Sequence, residues 1–181
     1  MSMKKCLLLI DGSNFYFKLK DLKLHNLLEF NFSKFASFLA RSDKLIGAKY
    51  YVGKVRQDGT ARVDKMLANQ QKLIERLKHH RFRYELGYLL KSSGEYHEKG
   101  VDVHMAVDML VAVYEDTCDR IILVSSDTDL APAIKKAQEK GKIVEYVGFS
   151  HQPSVAMVRF CKESRLLTKE DVLSFVSPKN H

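Results

Sequence analysis

Along the chain, apolar runs of strand length alternate with stretches whose apolar positions recur every three or four residues. Lys5–Ile10 is a continuous apolar run, as a strand covered on both faces requires. Helical spacing follows over Ser13–Lys23 and Ser33–Ala40, the second with Phe35, Phe38 and Leu39 on one side. Leu45–Val55 is β-branched and aromatic, hence a strand, and Asp58-Gly59 marks a turn. A long helix starts near Thr60 and runs to about His80, with Val63, Met66, Leu67, Leu73, Ile74 and Leu77 as its core face. Phe82–Leu90 alternates as a strand does, and Lys91–Gly100 reads as a polar loop. Val101–Glu115 is helical, Arg120–Ser125 a buried strand, Thr128–Lys140 a helix stopped by Gly141, and Lys142–Gly148 a fifth strand. Val155–Cys161 and Thr168–Val176 close the pattern as short helices. Strands separated by helices of this length predict a mostly parallel α/β sheet with helices on both faces.

Length changes this picture little: 181 residues suit one domain. The expected boundaries are 1–166 for that domain and 167–181 for a C-terminal helix and tail on, or trailing from, it. No run of eighteen apolar residues predicts a membrane span. Two early lysines and the run Cys6–Ile10 imitate a signal peptide, but Asp11 interrupts the run and no small-residue cleavage site follows. Cys6, Cys118 and Cys161 are odd in number and far apart, so buried structural thiols are expected rather than a zinc site. A cytoplasmic location fits these features.

Four aspartates stand in unusual places. Asp11 directly follows the first strand, in Ile10-Asp11-Gly12-Ser13-Asn14, where Gly12 permits a sharp turn and Ser13 or Asn14 can cap a helix. Asp127 and Asp129 directly follow the strand Ile121–Val124, and ligands of open α/β sheets bind beyond such strand ends. Capping readily explains one of these acids but not the pair. Asp102 shares a helical face with Met105, Ala106, Met109 and Val113, where a carboxylate is costly without a partner. His104, Asp108 and Glu115 fall on the other side and are read as solvent-facing, as are the terminal pair His79 and His80. Several carboxylates in one site repel one another unless a cation compensates. Oxygen-only ligands favour a hard ion, Mg²⁺ or Mn²⁺, which can activate water in phosphodiester cleavage.

These residues resemble the NYN family, within it the LabA-like branch of the PIN-like ribonuclease superfamily. The matching segments are LLLIDGSNFY (Leu7–Tyr16), EKGVDVHMAVDML (Glu98–Leu110) and ILVSSDTDLAPAIKKAQEKGKIVEYVG (Ile122–Gly148), in family order over roughly residues 4–165. The resemblance implies a doubly wound, PIN-like or Rossmann-like fold and an RNA-cleaving site using Mg²⁺ or Mn²⁺. It maps the family's acids onto Asp11, Asp102, Asp127 and Asp129, its asparagine onto Asn14 and its hydroxyl residue onto Ser125. Two departures stand out: Ser126 replaces a common glycine and Leu130 a common phenylalanine.

The net charge of +8 suits RNA, which the acids alone would repel. Arg62, Lys65, Asn69, Lys72 and Arg76 form a narrow stripe on the long helix, with Lys54 and Arg56 ahead of it and Arg81 and Arg83 behind. Lys54, Arg56, Arg62, Lys65 and Lys99 are the candidate phosphate contacts, positioning a flexible or single-stranded RNA without reading its sequence. Tyr88, Tyr96, Phe15 and Tyr16 are candidate stacking residues, the last two equally suited to the core. A homodimer is left open. The rival reading is a non-catalytic regulatory or RNA-binding module built on the same cleft. A haloacid-dehalogenase-type phosphatase needs a second acid two residues after the first, where Ser13 stands.

Overall fold

The computed structural model describes residues 3–92 and 95–176, with the backbone alone for residues 89–92 and 95–98. Among these, seven strands form one sheet: β1 (Lys5–Asp11), β2 (Lys44–Gly53), β3 (Arg83–Ser92), β4 (Glu95–Lys99), β5 (Arg120–Val124), β6 (Ile143–Phe149) and β7 (Glu163–Leu167). Their order is β4-β3-β2-β1-β5-β6-β7, and every pairing is parallel except β3 with β4. The chain winds outward one way from β1 and then the other way from β5. The sheet is therefore doubly wound, and its switch point lies between β1 and β5.

The helices are α1 (Gly12–Asp21), α2 (Phe32–Ala40), α3 (Ala61–His79), α4 (Val101–Tyr114), α5 (Ala131–Glu139), α6 (Val155–Phe160) and α7 (Lys169–Leu173). The strands alternate their side chains between two cores. Leu8 and Ile10 of β1 face the core under α1, α2 and α7, where Phe15, Phe30, Phe32, Phe35 and Phe175 meet edge-on or tilted. Leu9 faces the core under α4, α5 and α6, built on Met105, Met109, Ile134 and Met157. The segment carrying α7 packs on this fold: Val172 and Phe175 are buried, and Asn31 donates its amide to the Phe175 carbonyl.

Several expectations change. The polar stretch Lys91–Gly100 is not a loop, because β4 returns antiparallel beside β3, with residues 93–94 outside the described range. The unforeseen β7 closes the opposite edge. Both are short, polar edge strands, which carry little of the apolar signal that marks central ones. The helix expected over Thr128–Lys140 begins as a 3₁₀ turn at Thr128–Leu130, and Pro132 then opens α5. On α3 only Leu77 is buried; Met66, assigned to the core, is 46% exposed, and Val63, Leu67, Leu73 and Ile74 are half-buried. Phe38 is likewise on the surface, its ring against Phe175 and the Arg165 guanidinium.

Candidate metal centre

Asp11 is the last residue of β1 and also the N-cap of α1, so Ser13 and Asn14 are not the cap. One carboxylate oxygen accepts the Asn14 amide at 3.0 Å, and the other accepts the Ser125 hydroxyl at 3.1 Å. Gly12 makes this turn feasible. A Cβ there would stand 2.3 Å from the Tyr50 ring and 2.5 Å from the Tyr51 carbonyl, so no other residue lets α1 start this close to β2.

Ser125, buried at the end of β5, joins the two halves of the sheet. Its hydroxyl donates to Asp11 and accepts the Asp127 amide at 3.1 Å. Asp127 in turn caps the 3₁₀ turn, accepting the Asp129 amide at 2.9 Å. The capping roles and the site roles thus coincide. Backbone amides hold the Asp11 and Asp127 carboxylates, and both acids line one cavity.

Asp102 arrives from the other side of that cavity, in the first turn of α4. Gly100 caps that helix in the left-handed region, at φ 85°, which favours glycine. Met105, Met109 and Val113 below Asp102 are buried as the helical phase predicts. One carboxylate oxygen each from Asp102, Asp127 and Asp129 lies within 4.8 Å of the others. Asp11 stands beside this trio, lining with Asp102 and Asp127 a cavity of about 500 Å³ that also includes Ser13, Asn14, Phe17 and Lys99. Among the described residues, no lysine, arginine or histidine forms an ion pair with any of the four acids. Burial raises the Asp11 carboxyl above its ordinary value against the pull of Asn14 and Ser125, and Asp127 adds to the rise.

Of the basic candidates, Lys99 is at the cavity wall, whereas Lys54, Arg56, Arg62 and Lys65 are exposed outside its lining. Phe15 is wholly buried in the core and contributes nothing here. Tyr88 is 59% exposed, and the Tyr96 side chain lies outside the described residues. Phe17, passed over in the sequence, is 59% exposed and lines the cavity. Its position three residues after Asn14, one helical turn, was the available signal.

Three other readings change. Asp108 is not merely solvent-facing: it accepts the buried Tyr51 hydroxyl and the Lys49 ammonium, each at 2.6 Å. His104 reaches Glu85 at 3.3 Å within the same group. His80 takes the Ser33 hydroxyl on Nδ1 at 2.8 Å while its Nε2 is buried without a partner, and burial lowers its pKa. The three cysteines are buried and free, with Cys161 pushed up to about 12 by burial, which makes it a poor nucleophile.

The family model of the NYN domain matches residues 5–167. The chain belongs to the NYN domain family. An uncharacterised protein of Methanocaldococcus jannaschii is 48% identical over 48 residues, which is 26% of this chain and 20% of that protein. This chain therefore matches only a fifth of that relative's length. A solved protein of unknown function from Vibrio parahaemolyticus shares the fold with a TM-score of 0.69 at 20% identity, covering 91% of this chain and 93% of the other. The bacteriophage T5 flap endonuclease, solved with DNA and metal ions, superposes with a TM-score of 0.45 at 15% identity, over 82% of this chain and 56% of the enzyme. No described helix is long and apolar enough to cross a membrane.

Proposed function

We propose that this chain is a divalent-metal-dependent ribonuclease, an endonuclease that hydrolyses RNA phosphodiester bonds at the four-aspartate site. The observation that carries the reading is the set of four acids, at the switch point of the sheet, that have no cationic partner among the described residues. The donor set fits Mg²⁺ or Mn²⁺: it is all oxygen, as a hard ion prefers. The three carboxylate oxygens within 4.8 Å of one another are close enough to serve one ion after small side-chain rotations or through water.

Asp102, Asp127 and Asp129 would hold the ion, with Asp11 joining them directly or through water. When bound, the ion supplies the positive charge that lowers the pKa of water and offsets the phosphate's charge. Ser125 keeps Asp11 and Asp127 in register through its two hydrogen bonds. Asn14 holds Asp11 through its backbone amide and presents its side chain at the cavity. Lys99, at the wall, would take a phosphate oxygen, and Lys54, Arg56, Arg62 and Lys65 would hold the strand farther out. This role fits the LabA-like, PIN-like ribonucleases and a cytoplasmic protein.

The test is cleavage of mixed single-stranded RNAs with Mg²⁺, with Mn²⁺ and with chelator, using wild type, Asp11→Asn and Asp127→Asn. Cleavage that needs the ion and both acids is expected. Chelator-resistant cleavage, or full activity in either variant, overturns the reading. RNA binding that survives loss of the acids, with no cleavage under any condition, favours the non-catalytic module instead.

A further inference from the structure

A second cavity, of about 480 Å³, opens beside the first, between the turn after α1 and the middle of α3. Leu27, Leu28 and Leu73 give it an apolar floor, and Tyr16 and His25 supply rings 5.6 Å apart at 86°. Asn26 and Asn69 stand at its edge, both exposed, and no described residue hydrogen-bonds either side-chain amide. Gln70, by contrast, is committed to the fold, receiving the Val55 amide and donating to the Gly53 carbonyl.

The two cavities are neighbours through one step of α1. Tyr16 lines the second and Phe17 the first, and their rings lie 5.6 Å apart, edge to face. Asn69 also belongs to the basic stripe of α3, where Lys65 and Lys72 flank it four and three residues away on the same exposed face. Neither lysine forms an ion pair with a described residue. An apolar slot with aromatic rings, two unengaged amides and flanking ammonium groups matches the surfaces of a nucleotide: a π-face, a donor–acceptor base edge and a phosphate.

We propose that this second cavity is a nucleobase subsite, which holds one unpaired base of a single-stranded RNA whose neighbouring phosphate lies at the acids. The proposal rests on the ribonuclease reading and gives it a source of base preference. Tyr16 and His25 would contact the base face, Asn26 and Asn69 its edge, and Lys65 and Lys72 its backbone. A substrate lacking an accessible base, such as a continuous duplex, would not engage it.

The experiment uses the full chain carrying Asp127→Asn, with single-stranded RNA 12-mers containing 4-thiouridine or 6-thioguanosine for photo-crosslinking. Crosslinks on the peptides bearing Tyr16 and His25 are expected. Asn69→Ala, an exposed helical substitution that spares folding, and Tyr16→Leu are each expected to weaken RNA binding about 5- to 100-fold. Crosslinks confined to other peptides, or unchanged binding in both variants, overturn the subsite. Wild-type cleavage assayed alongside separates the two ideas. Asp127-dependent cleavage without cavity crosslinks removes the subsite and leaves the nuclease. Cavity crosslinks without any cleavage keep the subsite and remove the nuclease. Absence of both binding and cleavage removes the two together.

Discussion

Near the N-terminal ends of the central strands, Glu145 is 1% exposed and enclosed by Arg120, Arg165 and Arg41, with Asp43 completing the group on Arg120. At the C-terminal ends, Asp11, Asp102, Asp127 and Asp129 gather, and among the described residues no guanidinium pairs with them. The same type of side chain thus serves opposite purposes. Below, the protein supplies the counter-charge and the acids lock β2, β5, β6 and β7 together. Above, no described residue forms an ion pair with the acids, and a cation from solution would relieve their repulsion.

Neutralising an acid should therefore have opposite signs at the two ends. Glu145→Gln leaves Arg120 and Arg165 without their main partner in a buried setting and should cost about 3–5 kcal/mol in urea unfolding. Above, Asp127→Asn should reduce Mg²⁺-dependent RNA cleavage by about 10³-fold, corresponding to about 4 kcal/mol of lost transition-state stabilisation. Adding Mg²⁺ or Mn²⁺ at about a hundred times its dissociation constant should stabilise the wild type by about 2.7 kcal/mol, seen as a rise in Tm, and leave Asp127→Asn nearly unmoved. An equal rise in both proteins would place the ion elsewhere.

Smaller effects refine the contrast. Without divalent ions, Asp102→Asn should stabilise the protein. Each neighbouring carboxylate about 5 Å away repels Asp102 by about 1 kcal/mol even in a water-like dielectric. Against two such neighbours, the favourable helix-dipole interaction lost is only about 0.3–1 kcal/mol. The smallest effect is a pair of opposed pH slopes. Asp11, with its folded pKa raised, lends stability to the metal-free protein below its ordinary value of 3.8 and loses it as pH rises through the raised value. His80, with its folded pKa lowered, contributes above its ordinary 6.5 and loses that contribution as pH falls through the lowered value. Urea unfolding of Asp11→Asn and His80→Gln across that range should flatten one slope each.

Much of this contrast was legible in the residues. Apolar runs marked β1 and β5, because strands covered on both faces are apolar nearly throughout. The placement of Asp11 and Asp127 after such strands, and the helical phase of Asp102, already point the upper acids to one place. The lower cluster was not legible. Arg120 and Glu145 sit inside apolar strands 25 residues apart, and only the β5–β6 register brings them together. The edge strands β4 and β7 were hidden for a related reason, since their sequence answers to solvent as much as to the core. The second cavity needed the turn after α1 packed against α3, a non-local contact that periodicity does not encode.

The Ser125–Asp11 bond has a consequence for the timing of synthesis. Its partners are 114 residues apart in the chain, and β1 cannot pair with β5 until β5 exists. At 5–20 residues per second, roughly 6–23 s separate the two as the chain is made. For that interval a growing chain carries Asp11 but no completed centre. Any activity that depends on all four acids would be armed only after the nascent chain has delivered the second half of its sheet.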